Sequence, residues 1–191
     1  MFTQPFNLNQ ELDGPTITIK GIKYGKLNEI GKGSYATCFR IKSRETLEYS
    51  AVKIVPLCEC DEFFKFTIKQ EALLHKKLMH HNIVEIYSCF IKNDIIYMHL
   101  ELCDKNLKQY MSHIDRFTEN EIQRYAIQII DGLEYLHKNY IIHRDIKLEN
   151  ILLKGVQIKI ADFNTAIKLN SQDDIRTEFS FQFFFSLIFK I

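Results

Sequence analysis

Up to about residue 100 the apolar residues of this chain recur mostly at the two-residue spacing of strands, and beyond it at the three-and-four spacing of a helix. That change of period constrains the fold more than any other feature. Thr16 to Ile19 alternates, Tyr24 to Ile30 continues with mixed polarity, and after a glycine loop come Phe39-Arg40-Ile41 and the run Tyr49 to Val55. These read as an antiparallel meander. One helix, from about Phe63 to Met79 with Ile68, Ala72, Leu73 and Leu78 near helical spacing, interrupts it before two more strands at about 84–91 and 95–100. Downstream, Thr118-Glu119-Asn120-Glu121 is a capping box, in which the threonine hydroxyl meets one orphan N–H and Glu121 reaches back to another. A long helix follows to about His137, with Ile122, Tyr125, Ala126, Ile129, Ile130, Leu133 and Leu136 predicted as its buried stripe. A sheet-rich first half and a helical second half predict the α+β class.

A chain of 191 residues that is 46% hydrophobic supports one domain, or two small lobes sharing a cleft. Lys+Arg of 25 against Asp+Glu of 24 leaves a net charge of +1, with no basic block, which argues against a nucleic-acid partner. The five cysteines are odd in number and form no C-x-x-C pair, and Met1 to Gln10 lacks a basic head and an apolar signal run. A reducing compartment, cytoplasmic or nuclear, is expected. Cys58-Glu59-Cys60 brings two thiolates without further ligands at metal spacing, so it reads as a loop. The Gln-, Asn- and Pro-containing start reads as a flexible leader, taken as residues 1–20.

Chemistry concentrates in His143-Arg144-Asp145-Ile146-Lys147-Leu148-Glu149-Asn150 and, one hairpin later, Ala161-Asp162-Phe163. Together these hold a base, a lysine suited to phosphate and two oxygen ligands for magnesium. The pattern resembles the eukaryotic protein kinases, whose catalytic loop reads H-R-D-x-K-x-x-N. The resemblance implies a bilobal kinase fold: an N-lobe over residues 21–100 built of an antiparallel sheet and one helix, a hinge at 101–104, and an incomplete, mainly helical C-lobe over 105–178. It also implies that ATP and Mg2+ are the cofactors.

On the same resemblance, Asp145 accepts the proton of the substrate hydroxyl, Lys147 neutralises the transferred phosphate, and Asn150 and Asp162 bind magnesium, which prefers oxygen donors. Gly31 and Gly33, in Gly31-Lys32-Gly33-Ser34, let the backbone approach the nucleotide phosphates, with a plain glycine hairpin as the bland alternative. Lys53, one strand later, meets the α- and β-phosphates, and Glu71 in the helix holds it extended, a solvated helix-face glutamate being the other reading. Cys38, Ala51 and Leu152 are expected to sandwich the adenine, and Glu101 and Cys103, in Leu100-Glu101-Leu102-Cys103, to offer it backbone groups. His143 and Phe163 read as packing residues. Asn164 stands where the family has glycine, and a left-handed conformation there costs an ordinary residue about 1–2 kcal/mol, asparagine being among the more tolerant.

Lys147, two positions after Asp145, is similar to serine/threonine kinases, so the expected partners are proteins with Ser or Thr acceptors. Ala36 and Cys38 in the glycine loop, Lys53-Ile54-Val55-Pro56 and Leu100-Glu101-Leu102-Cys103 resemble the polo-like kinases. Glu149 stands against the acidic-substrate preference of that group, and its phosphopeptide-binding module is absent from this chain. Thr177 falls about where an activating kinase acts, its phosphate able to pair with Arg144; a plain loop threonine is the other reading. After Glu178 the family's A-P-E motif and further helices are replaced by the Phe-rich run Phe179 to Ile191, expected as a non-family tail and too short for a membrane span of about 20 apolar residues. Three readings follow as alternatives: an ATP-dependent protein serine/threonine kinase or its fragment, a truncated nucleotide-binding regulator without transferase activity, or an aggregation-prone product without function.

Overall fold

The period-two segments before residue 100 become one antiparallel sheet. In the computed structural model, which describes residues 15–57 and 61–170, the strands are β1 (Thr16–Ile19), β2 (Ile22–Lys32), β3 (Thr37–Ser43), β4 (Tyr49–Pro56), β5 (Ile86–Lys92) and β6 (Ile95–Leu100), in the spatial order β1-β2-β3-β4-β6-β5. Two of the hairpins turn on residue pairs with positive φ, Lys20-Gly21 at 49° and 86° and Asn93-Asp94 at 51° and 55°. Such turns match the right-handed twist of the strands they join. Inward residues Ile19, Tyr24, Ile41 and Val52 are buried together, with Phe39, Ile54, Phe90 and Tyr97 packed against them. β1 lies inside the stretch 1–20 assigned to the leader; Thr16–Ile19 pairs residue for residue with β2, so the leader assignment fails for those four positions.

The chain divides into two units. The residues up to Glu62 join Ile86–Leu102, and Phe63–Glu85 joins the residues from Cys103 onward. The helix α1 (Glu62–His75) therefore falls, apart from its first residue, with the second unit, where the N-lobe expected at 21–100 would have kept it with the sheet. The reason is packing. Leu74 lies against the second unit's core, the His75 ring sits 4.4 Å from that of Phe163, and His75 Nε2 is 2.7 Å from the Val84 carbonyl.

The second unit also contains β7 (Lys105–Asn106), α2 (Leu107–Met111), α3 (Glu119–Lys138), β8 (Ile141–Ile142), β9 (Ile151–Lys154), β10 (Gln157–Ile160) and β11 (Ile167–Lys168). The capping box forms as expected: the Glu121 N–H donates to Thr118 Oγ1 at 3.2 Å, and the Thr118 N–H to Glu121 Oε2 at 2.9 Å. A second box, Asn106 with Gln109, starts α2. Of the predicted α3 stripe, Tyr125, Leu133 and Leu136 are buried, but Ile122 is 46% and Ile130 59% exposed. At about 100° per residue Ile130 lies roughly 120° around the helix from Leu136, and Ile122 belongs to the first turn.

At Gly132 the helix comes close to its neighbours. A Cβ there would meet Ile160 Cδ1 at 2.8 Å and the Asn82 carbonyl and Cβ at 3.3 Å. Asn82 is fully buried; its amide donates to the Ile158 carbonyl at 2.9 Å and to Gln128 Oε1 at 3.1 Å, and Gln128 Oε1 also accepts from the Ile158 N–H at 2.8 Å. The connector 80–84 is thereby tied to both α3 and β10. No described helix is long and apolar enough to cross a membrane. Residues 1–14, the Cys58–Cys60 pair, Thr177 and the Phe-rich run lie outside the described residues.

Candidate active site

Between the end of β8 and the 3-10 turn Leu148–Asn150, residues 143–147 hang as a loop whose side chains are tied to one another. Lys147 Nζ donates to Asp145 Oδ2 at 2.6 Å. The Asn150 amide donates to the same oxygen at 2.9 Å and to the Asp145 carbonyl at 2.9 Å. The Asp145 carboxylate is thus aimed by two side-chain donors. The same contact with Asp145 is the main reason the Lys147 ammonium is held above its ordinary value, so it stays protonated at neutral pH.

The first residue of this loop, His143, is 1% exposed, with its ring 4.8 Å from that of the fully buried Phe163. Its Nδ1 accepts from the Asp145 N–H at 3.3 Å, which leaves Nε2 to donate to the Ala161 carbonyl at 2.9 Å. Burial pushes this imidazole below its ordinary value, outweighing the Ala161 carbonyl and the Asp162 and Asp145 charges, which act in the opposite direction. His143 and Phe163 are the packing residues expected. Arg144 adopts φ of 65°, and its Nε donates to the Thr165 carbonyl at 2.6 Å, while Thr165 Oγ1 donates to the His143 carbonyl at 3.0 Å.

The hairpin β9–β10 delivers Asp162 to this loop. Its strands pair from Gln157↔Lys154 to Ile160↔Ile151, and the Ala161 N–H then donates to the Asn150 carbonyl at 2.9 Å. Asp162 follows with φ of 64°. The left-handed conformation considered for Asn164 therefore occurs two residues earlier, and Asn164 is not among the positive-φ residues. With its amide nitrogen turned to Asp145, Asn150 is left with its oxygen as a ligand atom. That oxygen and the Asp162 carboxylate are a hard-donor pair of the kind magnesium takes.

In the first unit, Gly31, Cys38, Lys53 and Met98 occupy one cross-strand row, through Gly31↔Cys38, Cys38↔Lys53 and Lys53↔Met98. Ala51, two residues from Lys53, shares its face of β4. Register shifts between Lys26 and Gly31 mark a bulge just before the glycine turn, which closes through the Gly33 N–H and the Ala36 carbonyl at 2.8 Å. A Cβ on Gly31 would meet nothing nearer than 3.9 Å and one on Gly33 nothing nearer than 3.7 Å, and neither residue has a positive φ. Sterically, the fold itself does not require glycine at either position.

Glu71 is buried on α1 and Glu101 is buried just after β6. Cys103 and Leu152 are half-buried, Leu152 facing away from the buried Ile151 and Leu153 on β9. Glu149 is held by Lys108 at 2.8 Å, the main reason its carboxyl lies below the ordinary value. Absent from the sequence-based expectations was the Asn82–Gln128–Gly132 network; its one sequence signal was a glycine inside an otherwise periodic helix.

A family model described as protein kinase domain matches residues 24–186. The match extends eight residues into the Phe-rich run that was expected to lie outside the family. The chain is 38% identical over 160 residues to a probable serine/threonine-protein kinase, CCRP1, of Zea mays, which covers 81% of this chain and 25% of that protein. It is 35% identical over 161 residues to the serine/threonine-protein kinase plk-1 of Caenorhabditis elegans, covering 83% and 25%. With plk-2 of the same organism the figures are 32% over 171 residues, 86% and 27%. The chain thus spans about a quarter of the length of these relatives.

Proposed function

The chain belongs to the protein kinase family, and from that premise we propose that it transfers the γ-phosphate of ATP to serine or threonine hydroxyls of protein substrates, in the manner its polo-like relatives' names imply. The observation that carries this reading is the Asp145–Lys147–Asn150 cluster. A carboxylate held by an ammonium at 2.6 Å and an amide at 2.9 Å is the arrangement a general base needs, because its lone pair is aimed before the hydroxyl arrives.

In this reading Asp145 takes the hydroxyl proton at Oδ1, because Oδ2 already accepts from Lys147 and Asn150. Lys147 then lends its charge to the phosphate oxygens as charge shifts in the transition state. Asn150 has two tasks: its amide nitrogen fixes Asp145, and its oxygen joins Asp162 in holding Mg2+, which neutralises phosphate charge when bound with ATP. Lys53 meets the α- and β-phosphates, Glu71 positions it, Cys38, Ala51 and Leu152 contact the adenine, and the backbone at Glu101 and Cys103 offers hydrogen bonds to its edge. Gly31 and Gly33 support a phosphate role over a plain hairpin, because the fold has no steric need of them. The Lys108 partner of Glu149 already matches that acid, which weakens the conflict with an acidic substrate preference, though an exposed pair of this kind is worth only about 0–1 kcal/mol.

Lys53→Met tests the assignment. Transfer should fall by about 10²–10³-fold, the loss typical of a charge-stabilising group, while fluorescent ATP-analogue binding persists. Nucleotide binding by the wild-type chain without any transfer would favour the regulatory alternative.

A further inference from the structure

His80 and His81 in the connector after α1 meet Asp131 on α3, away from the catalytic loop, and no role described so far uses them. His81 Nε2 lies 2.9 Å and His80 Nε2 3.7 Å from the same oxygen, Asp131 Oδ2, and all three ligand atoms fall within 4.8 Å of one another. We propose that these three side chains form a divalent transition-metal site of the class that takes Zn2+.

The chemistry of the set supports this. Two borderline imidazole donors with one carboxylate are a set zinc accepts, and three protein ligands leave a fourth position for water. In a tetrahedral site with bonds of about 2.0–2.2 Å, ligand atoms stand roughly 3.3–3.6 Å apart. The two distances to Asp131 bracket that spacing, and the two imidazole nitrogens, within 4.8 Å of each other, reach it by side-chain rotation of the exposed His81. One ligand is already ordered: the His80 ring stacks on Tyr135 with centroids 4.8 Å apart and planes at 25°. Tyr135 and Asp131 share a face of α3 at i, i+4, and the Tyr135 hydroxyl accepts from the Met79 N–H at 3.0 Å.

Two features oppose tight binding. His80 Nδ1 accepts from the Asn82 N–H at 3.2 Å, so a metal on Nε2 requires the ring proton to move to Nδ1 and that bond to be given up. The Lys159 charge, which acts on His80, repels a cation. Micromolar affinity is the expectation, with His81 and Asp131 contributing most. A bound ion would strap the connector 80–84 to α3. That connector already bonds β10, through Val84 N–H to the Ile160 carbonyl at 2.9 Å, two residues before Asp162.

The test is equilibrium dialysis of the full chain with ZnCl2 at pH 7.5, paired with Co2+ absorption spectra. Expected are one saturable equivalent of Zn2+, a rise in unfolding midpoint with added Zn2+, and Co2+ d–d bands without a thiolate charge-transfer band. His81→Ala and Asp131→Asn should each weaken binding at least about tenfold, the lower end of what losing even an outer partner costs. Both side chains are largely exposed, at 61% and 45%, so the metal-free midpoint should stay in place. Absence of saturable uptake up to millimolar Zn2+, binding unchanged in both variants, or a thiolate band from the chain's cysteines would overturn the proposal.

Discussion

The catalytic loop of the second unit and the glycine turn of the first are held in opposite ways. Asp145 is gripped by Lys147 and Asn150 and underlain by a fully buried aromatic, and two left-handed residues, Arg144 in the loop and Asp162 after the β9–β10 hairpin, each cost about 1–2 kcal/mol. The hydrogen bonds around Thr165, Ala161 and His143 offset that strain. The turn from Gly33 to Ala36 has no such strain, and its residues 33–35 are exposed. A group that must accept a proton at a fixed point benefits from being over-determined; a backbone that must lie against phosphates benefits from empty space.

The contrast is broken most severely at Phe163. Phe163→Ala removes a ring with no exposure between His75 and His143 and should destabilise the second unit by about 3–5 kcal/mol, read by urea unfolding. An intact midpoint would show that the loop does not depend on this packing. Gly132→Ala should come next. Alanine gains about 1 kcal/mol of helix propensity, but overpacking costs roughly 1–3 kcal/mol, and Ile160 and Asn82 are too buried to yield freely. A net loss near 1 kcal/mol is expected, and a stabilised variant would contradict the close approach.

Acid should weaken both units. Burial pushes His143 and His137 in the second and His99 in the first below the ordinary value of 6.5. Below pH 6.5 the unfolded chain takes up protons that these native rings refuse, so the unfolded state binds more protons and stability rises with pH. Unfolding midpoints should therefore fall from pH 7.5 through 6.5 to 5.5; a flat profile would place these rings in water. Smallest is Gly33→Ala, which should leave stability within about 0.5 kcal/mol. A several-fold rise in KM for ATP with that stability unchanged would sharpen the distinction between space for a ligand and need of the fold.

Much of this was legible in the sequence because it is local. The strands alternate, the Thr118 box announces α3, and Asp145, Lys147 and Asn150 stand within six residues, so their meeting requires only one turn of chain. Asp162 was legible through the short β9–β10 hairpin. What depended on distant contacts was not. The allegiance of α1 is decided by His75 and Leu74 against residues far along the chain, the exposure of Ile130 by which arc of α3 faces Ile160, and the burial of Asn82 by Gln128 and Ile158. Periodicity names a face without naming what covers it.

The most direct test of the account is Mg2+-dependent transfer of labelled γ-phosphate from ATP to dephosphorylated casein, comparing the wild-type chain with Asp145→Asn. Expected are phosphoserine or phosphothreonine in the wild-type reaction and a fall of about 10²–10⁴-fold in the variant, the range for loss of a general base. Equal rates in the two proteins, or ATP bound with no phosphate transferred by either, would contradict it.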